Sequence, residues 1–177
     1  GTLCTHTRYL QEGILDFAEE LLASFGGSLS VDGHAMFTCT GSEANDLALR
    51  IAQHYTGGRG IIVTSEAYHG NSFLTAGFSP ALGSHSPLGE HVHRVLTPDS
   101  YRIPADELVA RFADDVAAAI GAIEAKGQKL AAFVVDSMFS SDGVFSQPTA
   151  LLAPVIDLVH KAGGVFVADE VQCGFAR

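Results

Sequence analysis

The chain has 177 residues, 47% hydrophobic and 17% charged, which excludes intrinsic disorder and allows a sizeable core. A formal net charge of −10 argues against a nucleic-acid groove, which needs clustered lysine and arginine. The cysteines Cys4, Cys39 and Cys173 form no CxxC pair, so we expect no metal site, no disulfide framework and a cytoplasmic location. No apolar run reaches the roughly 20 residues of a membrane helix, so we expect no membrane partner.

Helical and strand patterns alternate along the chain. Apolar residues recur at helical spacing in some segments, as at Leu108, Phe112 and Val116, and form short continuous runs in others. The predicted elements are helix 10–23, strand 35–39, helix 43–54, strand 61–63, strand 92–96, helix 105–125, strand 130–135, helix 151–161 and strand 165–168. This order predicts an α/β fold with a mostly parallel sheet and helices on both faces. No repeat or linker divides residues 1–177, so we expect one domain.

The last strand carries the most informative pattern. Residues 165–168 are apolar without polar alternation, which predicts a strand buried on both faces. Asp169 and Glu170 follow directly, at the strand end where open α/β sheets bind ligands. Burying a carboxylate is costly unless a cation or a strong donor meets it. We therefore expect Asp169 to face such a partner.

Other predicted strands end in polar groups at the same edge. Gly41 lets the backbone approach a ligand, Ser42 adds a hydroxyl, and the helix behind them favours a phosphate. Tyr68 can stack on a flat ring, with His69 beside it, and Asp136 ends a further strand. Each residue alone also fits an ordinary role, as a helix cap, a half-buried tyrosine, a satisfied histidine or a turn carboxylate.

Together these groups suit a flat, phosphorylated, cationic heterocycle. Pyridoxal phosphate is such a molecule, because its ring nitrogen can be protonated and a neighbouring carboxylate would hold the proton there. The protonated ring stabilises a carbanion next to an amine.

Four motifs carry a family resemblance: THTRYL at 5–10, TGSEAN at 40–45, AYHG at 67–70 and ADEVQCGFAR at 168–177. With these motifs in this order, the sequence resembles the class-III pyridoxal-phosphate aminotransferases of fold type I over essentially its whole length. It is most similar to the branch that contains alanine–glyoxylate aminotransferases and phospho-lyases acting on phosphorylated amines.

The resemblance implies roles for individual residues. Gly41 and Ser42 would hold the cofactor phosphate, and Tyr68 would stack on the ring with His69 beside it. Asp169 would pair with the ring nitrogen, and Gln172 would bond near the ring hydroxyl. Asp136 stands where many members have glutamate, and Ser141 where γ-amino-acid transaminases have a gating glutamate, which argues against a γ-aminobutyrate-type substrate. The resemblance also implies a homodimer that acts on an amine or amino acid and an oxo acid.

The lysine that forms the family's Schiff base lies beyond the stretch equivalent to Arg177. The lysines of this chain, Lys126, Lys129 and Lys161, precede predicted strands and would lie at the opposite sheet edge. A lysine is needed to hold the aldehyde and to move the proton. We therefore expect residues 1–177 to be the central part of the large domain of a longer protein, without the small domain, and to be inactive alone.

Two nucleotide-binding alternatives lack their motifs, whereas a non-catalytic module and a phospho-lyase stay open. A Walker B strand would need a G-x-x-x-x-G-K-[ST] loop, and a dinucleotide site would need G-x-G-x-x-G at a helix start; neither motif is present. A truncated homologue could act as a non-catalytic binding or dimerisation module. Transaminase and phospho-lyase share every residue named above, and we prefer transaminase because it is the commoner activity in the family.

Overall fold

A computed structural model describes residues 8–146, 148 and 150–176. The chain forms two compact units, residues 1–38 and residues 39–177. In the described part of the first unit, helix α1 (Glu12–Phe25) is followed by the short helix α2 (Leu29–Asp32). The rings of Phe17 and Phe37 pack within it at 5.7 Å between centroids. Helix α1 confirms the predicted helix 10–23, displaced by two residues at each end.

The second unit is built on a four-stranded parallel sheet. Its strands are β1 (Gly60–Thr64), β2 (Val92–Val95), β3 (Leu130–Val135) and β4 (Val165–Ala168). They lie in the order β2-β1-β3-β4, and every neighbouring pair is parallel. The carboxyl ends of all four strands therefore point to one edge, as the sequence pattern predicts.

Helices cover both faces of this sheet. The helices of the second unit are α3 (Gly41–Thr56), α4 (Phe73–Ala76), α5 (Ala105–Ala125) and α6 (Leu152–Lys161), with short 3₁₀ helices at Pro80–Leu82 and Gly174–Ala176. Successive strand residues point to opposite faces. Ile62 and Phe133 accordingly pack in a core with α5 and α6, whereas Ile61 and Val134 pack in a second core with α3. The predicted α/β fold with helices on both faces is confirmed.

Two strand predictions need correction. Residues 35–39 form no strand: Met36 is 65% exposed, and no neighbouring strand among the described residues pairs with this segment. Strand β4 is only partly buried, although Phe166 packs against one core and Val165 and Val167 against the other. In the described sheet it bonds only to β3 and forms an edge. Its residues are half-buried, and Ala168 is exposed. Strands β1 and β3 are the fully buried ones.

Within the described ranges, no helix is both long and apolar enough to cross a bilayer. The short helix α4 is an element that the sequence pattern does not predict. Ser72 caps its start, because the Ser72 hydroxyl accepts a hydrogen bond from the Thr75 N–H at 3.1 Å. A single helical turn has too few residues to display an apolar period.

Candidate functional site

The loops that follow β1, β3 and β4 meet the start of α3 around a pocket of about 180 Å³. All of the residues predicted as site residues line it: Gly41, Ser42, Tyr68, His69, Asp136, Asp169 and Gln172. The pocket is completed by Thr40, Asn45, Gly70 and Val171. The edge predicted to bind a ligand is thus the edge where the polar groups converge.

Asp169 lies at the base of this pocket and is 7% exposed. Its Oδ2 accepts hydrogen bonds from Asn45 Nδ2 and His69 Nδ1, each at 2.8 Å, and its Oδ1 accepts one from the Val171 N–H at 3.1 Å. Burial raises the pKa of Asp169, but the bonds from His69, Asn45 and Val171 outweigh burial and hold that pKa below its usual value. The side chain is therefore an ionised, fixed carboxylate at neutral pH.

The His69 side chain is fully buried beside this carboxylate. Its ring lies 5.9 Å from the Phe78 ring, and its main-chain N–H donates to Ser79 Oγ at 2.9 Å. The carboxylate acceptor assigns the ring proton to Nδ1, and Nε2 has no partner among the described residues. His69 is thus one of the donors that fix the Asp169 carboxylate.

The start of α3 forms the opposite side of the pocket. The Thr40 hydroxyl caps the helix by accepting from the Glu43 N–H at 3.2 Å, so the free amides and the positive dipole end of the first turn lie at the pocket. A Cβ on Gly41 would lie 2.6 Å from Val171 Cγ2. A side chain at position 41 would therefore have to displace Val171, and glycine lets the start of α3 lie close to the loop after β4.

Gly70 makes a second close approach. Its φ is +129°, and a Cβ there would lie 2.4 Å from Ser42 Oγ. The Ser42 hydroxyl accepts a hydrogen bond from the Asn71 N–H at 3.2 Å. The loop after β1 is thus held against the first turn of α3, with the Ser42 hydroxyl between them.

The other predicted residues differ in how their polar atoms are used. Tyr68 is 40% exposed, which leaves a ring face available to a ligand. Gln172 is exposed and donates through Nε2 to Ser141 Oγ at 3.5 Å. Asp136 is 8% exposed, and its two oxygens accept from the Met138 and Ser140 N–H groups at 2.9 and 3.2 Å. Asp136 lines the pocket, but its described hydrogen bonds are those of a turn carboxylate.

Asn45 is the site residue to which sequence reasoning assigned no role. Its Nδ2 donates to Asp169 Oδ2 at 2.8 Å and to the His69 carbonyl at 2.9 Å. A signal for it exists in the sequence, because Asn45, Leu49 and Ala52 share the buried face of α3. A polar residue on an apolar helix face needs a buried partner.

The lysines lie where the sequence predicts. Lys126 follows α5, Lys129 precedes β3 and Lys161 ends α6, all at the amino-terminal edge of the sheet. None of them lines the pocket. Among the described residues, no three His, Cys, Asp or Glu side chains are grouped so as to hold a metal ion.

The pocket thus offers three binding features to one ligand. A fixed carboxylate can hold a protonated ring nitrogen, the N-terminus of α3 can hold an anion, and Tyr68 can cover an aromatic face. The two close glycine approaches, at Gly41 and Gly70, leave space for such a ligand against the backbone.

Comparison with known proteins places these features in a family. The model of the family described as aminotransferase class-III matches residues 2–177. An alanine–glyoxylate aminotransferase 2 homologue from Arabidopsis thaliana is 36% identical over 96% of this chain, and the chain spans 35% of that relative's length.

Solved structures agree with the fold. A phospholyase from Arthrobacter, solved with phosphoethanolamine, is 39% identical, with a TM-score of 0.86 over 96% of this chain and 40% of its own. A PLP-bound amine transaminase from an uncultivated Pseudomonas species shares the fold at 23% identity, with a TM-score of 0.82 over 97% of this chain and 41% of its own. The chain belongs to the class-III aminotransferase family.

Proposed function

We propose that the full-length protein is a pyridoxal-phosphate enzyme that transfers an amino group from an amine or amino acid to an oxo acid. The observation that carries this proposal is the buried, ionised Asp169, held by Asn45 and His69 in the same pocket as the start of α3. Membership of the class-III family supports it, as does the PLP-bound state of the Pseudomonas transaminase with the same fold.

The cofactor supplies an electron sink that stabilises a carbanion next to the amino nitrogen. In our proposal, Asp169 accepts a hydrogen bond from the protonated ring nitrogen. Asn45 and His69 fix the carboxylate.

The remaining pocket residues bind and orient the cofactor. Gly41 and Ser42 hold its phosphate, Tyr68 stacks on its ring, and Gln172 bonds near the ring hydroxyl. Asp136 shapes the loop beside the ring through its bonds to that loop's backbone. The lysine that carries the cofactor is supplied from outside residues 1–177.

In our proposal these residues are the central part of the large domain of a longer homodimeric protein. The chain spans 35% of its Arabidopsis relative, which supports a longer parent. Cys39 and Cys173 are free thiols, which favours a reducing compartment. We propose the cytoplasm for this protein, whereas the Arabidopsis relative is named as mitochondrial.

A second candidate function is release of phosphate from a phosphorylated amine. The observation that favours it is the 39% identity to the Arthrobacter phospholyase solved with phosphoethanolamine. Both reactions would use the electron sink that the cofactor supplies, so Asp169 and its partners would serve either one.

One assay pair separates the two activities. The full-length protein, loaded with pyridoxal phosphate, is incubated with alanine and glyoxylate, and separately with phosphoethanolamine. Our proposal predicts glycine and pyruvate from the first mixture and no inorganic phosphate from the second. Phosphate release without glycine formation would establish the phospho-lyase, and an inactive protein on a wider panel of amines would support a binding module.

A further inference from the structure

Asp142 is a half-buried carboxylate in the loop that follows β3, and it does not line the pocket. Its Oδ2 accepts from Thr64 Oγ1 at 2.8 Å. Its Oδ1 accepts from the Glu66 N–H at 3.0 Å and from Thr97 Oγ1 at 2.5 Å. The Ser65 hydroxyl lies 3.1 Å from Thr97 Oγ1 and extends the network. One side chain thus joins the carboxyl ends of β1, β2 and β3.

The loop that carries Asp142 has an unusual backbone. Phe139 and Val144 have φ values of 52° and 63°, although neither is glycine, and Val144 is β-branched. Such conformations persist only where the surrounding structure holds them. Phe139 is 1% exposed, and its carbonyl accepts from the Asp142, Gly143 and Val144 N–H groups. The loop is therefore anchored in the core at Phe139 and to the neighbouring strand ends through Asp142.

The two segments joined by Asp142 lead to two side chains of the pocket. Glu66 lies two residues before Tyr68 in the loop after β1. Ser141, next to Asp142, accepts a hydrogen bond at 3.5 Å from the amide of Gln172, which lies in the loop after β4. A shift of either loop would change the separation between the proposed ring-stacking tyrosine and the proposed partner of the ring hydroxyl.

We propose that Asp142 is a positioning residue: its carboxylate fastens the loops after β1 and β3 to each other and so sets the places of Tyr68 and Gln172. This inference rests on the proposed function, because the positions matter only if the pocket binds the ring. Asp142 itself touches neither the pocket nor, in this proposal, the cofactor.

The chemistry of the network predicts a graded series of variants. Asp142→Ala removes the acceptor for all three donors. Asp142→Asn keeps one oxygen for the Glu66 N–H and the Thr97 hydroxyl, and its amide can donate to the Thr64 hydroxyl. Thr97→Val removes one donor at nearly constant volume. Asp115→Ala, at an exposed site on α5, is the matched control.

The test uses the full-length protein and two readouts. The first is the dissociation constant for pyridoxal phosphate by absorbance titration, and the second is the visible circular dichroism per bound cofactor at saturation. We expect Asp142→Ala to weaken pyridoxal-phosphate binding by about 10- to 100-fold. This is the range found at metal sites when a residue that hydrogen-bonds to a metal ligand and orients it is replaced. The visible dichroism should change as well, because the ring is no longer held in one orientation.

The other variants complete the comparison. Asp142→Asn should lie between wild type and Asp142→Ala, and Thr97→Val should have a smaller effect that disappears when Asp142 is already alanine. Asp115→Ala should behave as wild type. If Asp142→Ala does not fold, Asp142→Asn and Thr97→Val decide the matter on the same two readouts.

The possible results separate the two proposals. If all Asp142 variants bind pyridoxal phosphate as tightly as the wild type does, the proposed role of Asp142 is wrong and the proposed function is unaffected. Weaker binding with unchanged dichroism would also overturn the role of Asp142, since that pattern indicates only a less stable protein. A wild-type protein that takes up no pyridoxal phosphate would overturn the proposed function, and the role of Asp142 with it.

Discussion

Replacing Asn45 by aspartate tests whether the centre of the site carries a single buried negative charge. The two side chains have nearly the same shape, so Asn45→Asp changes charge and hydrogen-bonding character with little change in volume. It places a second carboxylate where Asn45 Nδ2 now lies, 2.8 Å from Asp169 Oδ2. With an effective dielectric constant of about 20, the repulsion at that distance is about 6 kcal/mol.

Proton uptake limits this penalty and makes it depend on pH. The carboxyl pair can share one proton, and the repulsion between two adjacent carboxylates raises the upper pKa of the pair in the folded state above the unfolded value. A raised folded pKa gives stability that is present below the unfolded pKa and is lost as pH rises through the folded pKa. A proton that only the folded pair holds costs about 1.4 kcal/mol of stability per pH unit. The variant should therefore lose up to about 4 kcal/mol of unfolding free energy, relative to wild type, between pH 5 and pH 8.

Asn45→Ala is the matched control for this experiment. It removes two hydrogen bonds without adding charge, so we expect a loss of about 1–3 kcal/mol that is nearly the same at both pH values. Urea unfolding of wild type and both variants without cofactor, at pH 5 and pH 8, measures the difference. Equal pH dependence in the two variants would refute a buried, ionised Asp169.

Three further predictions concern the full-length protein. Asp169→Ala should abolish amino transfer, since Asp136, the other described carboxylate of the pocket, is bonded to the backbone of its own loop; near-normal turnover would mean that the ring nitrogen is not held this way. Gly70→Ala should weaken pyridoxal-phosphate binding by about tenfold or more in the same titration, because a Cβ would lie 2.4 Å from Ser42 Oγ at a φ of +129°; unchanged affinity would contradict the close approach. The active species should sediment as a dimer, and a fully active monomer would contradict the proposed assembly.

Much of the fold could be predicted because long periodic segments and sharp stops are informative. Helix α5 and strands β3 and β4 begin and end at the predicted residues. Residues 35–39 show the limit, since an apolar run becomes a strand only if another strand lies beside it. The edge position of β4 could not be predicted for the same reason. An apolar sequence shows that a strand can be buried, but the order of the strands depends on residues elsewhere in the chain.

The sequence allowed us to predict which residues come together at the site. A parallel sheet brings the ends of its strands to one edge, so Tyr68, Asp136 and Asp169 could be grouped from strand ends alone. How their polar atoms pair could not be predicted, because the bonds from Asn45 to Asp169 and from Thr64 to Asp142 span 124 and 78 residues. Such pairs depend on side-chain geometry that no local pattern records.

The most direct test of this account is uptake of pyridoxal phosphate by the full-length protein, measured by equilibrium dialysis together with the visible absorbance spectrum. We predict one tightly held cofactor per chain and a yellow protein in the wild type, and greatly weakened retention in Asp169→Ala. A correctly folded wild-type protein that stays colourless and retains no added cofactor would contradict the account.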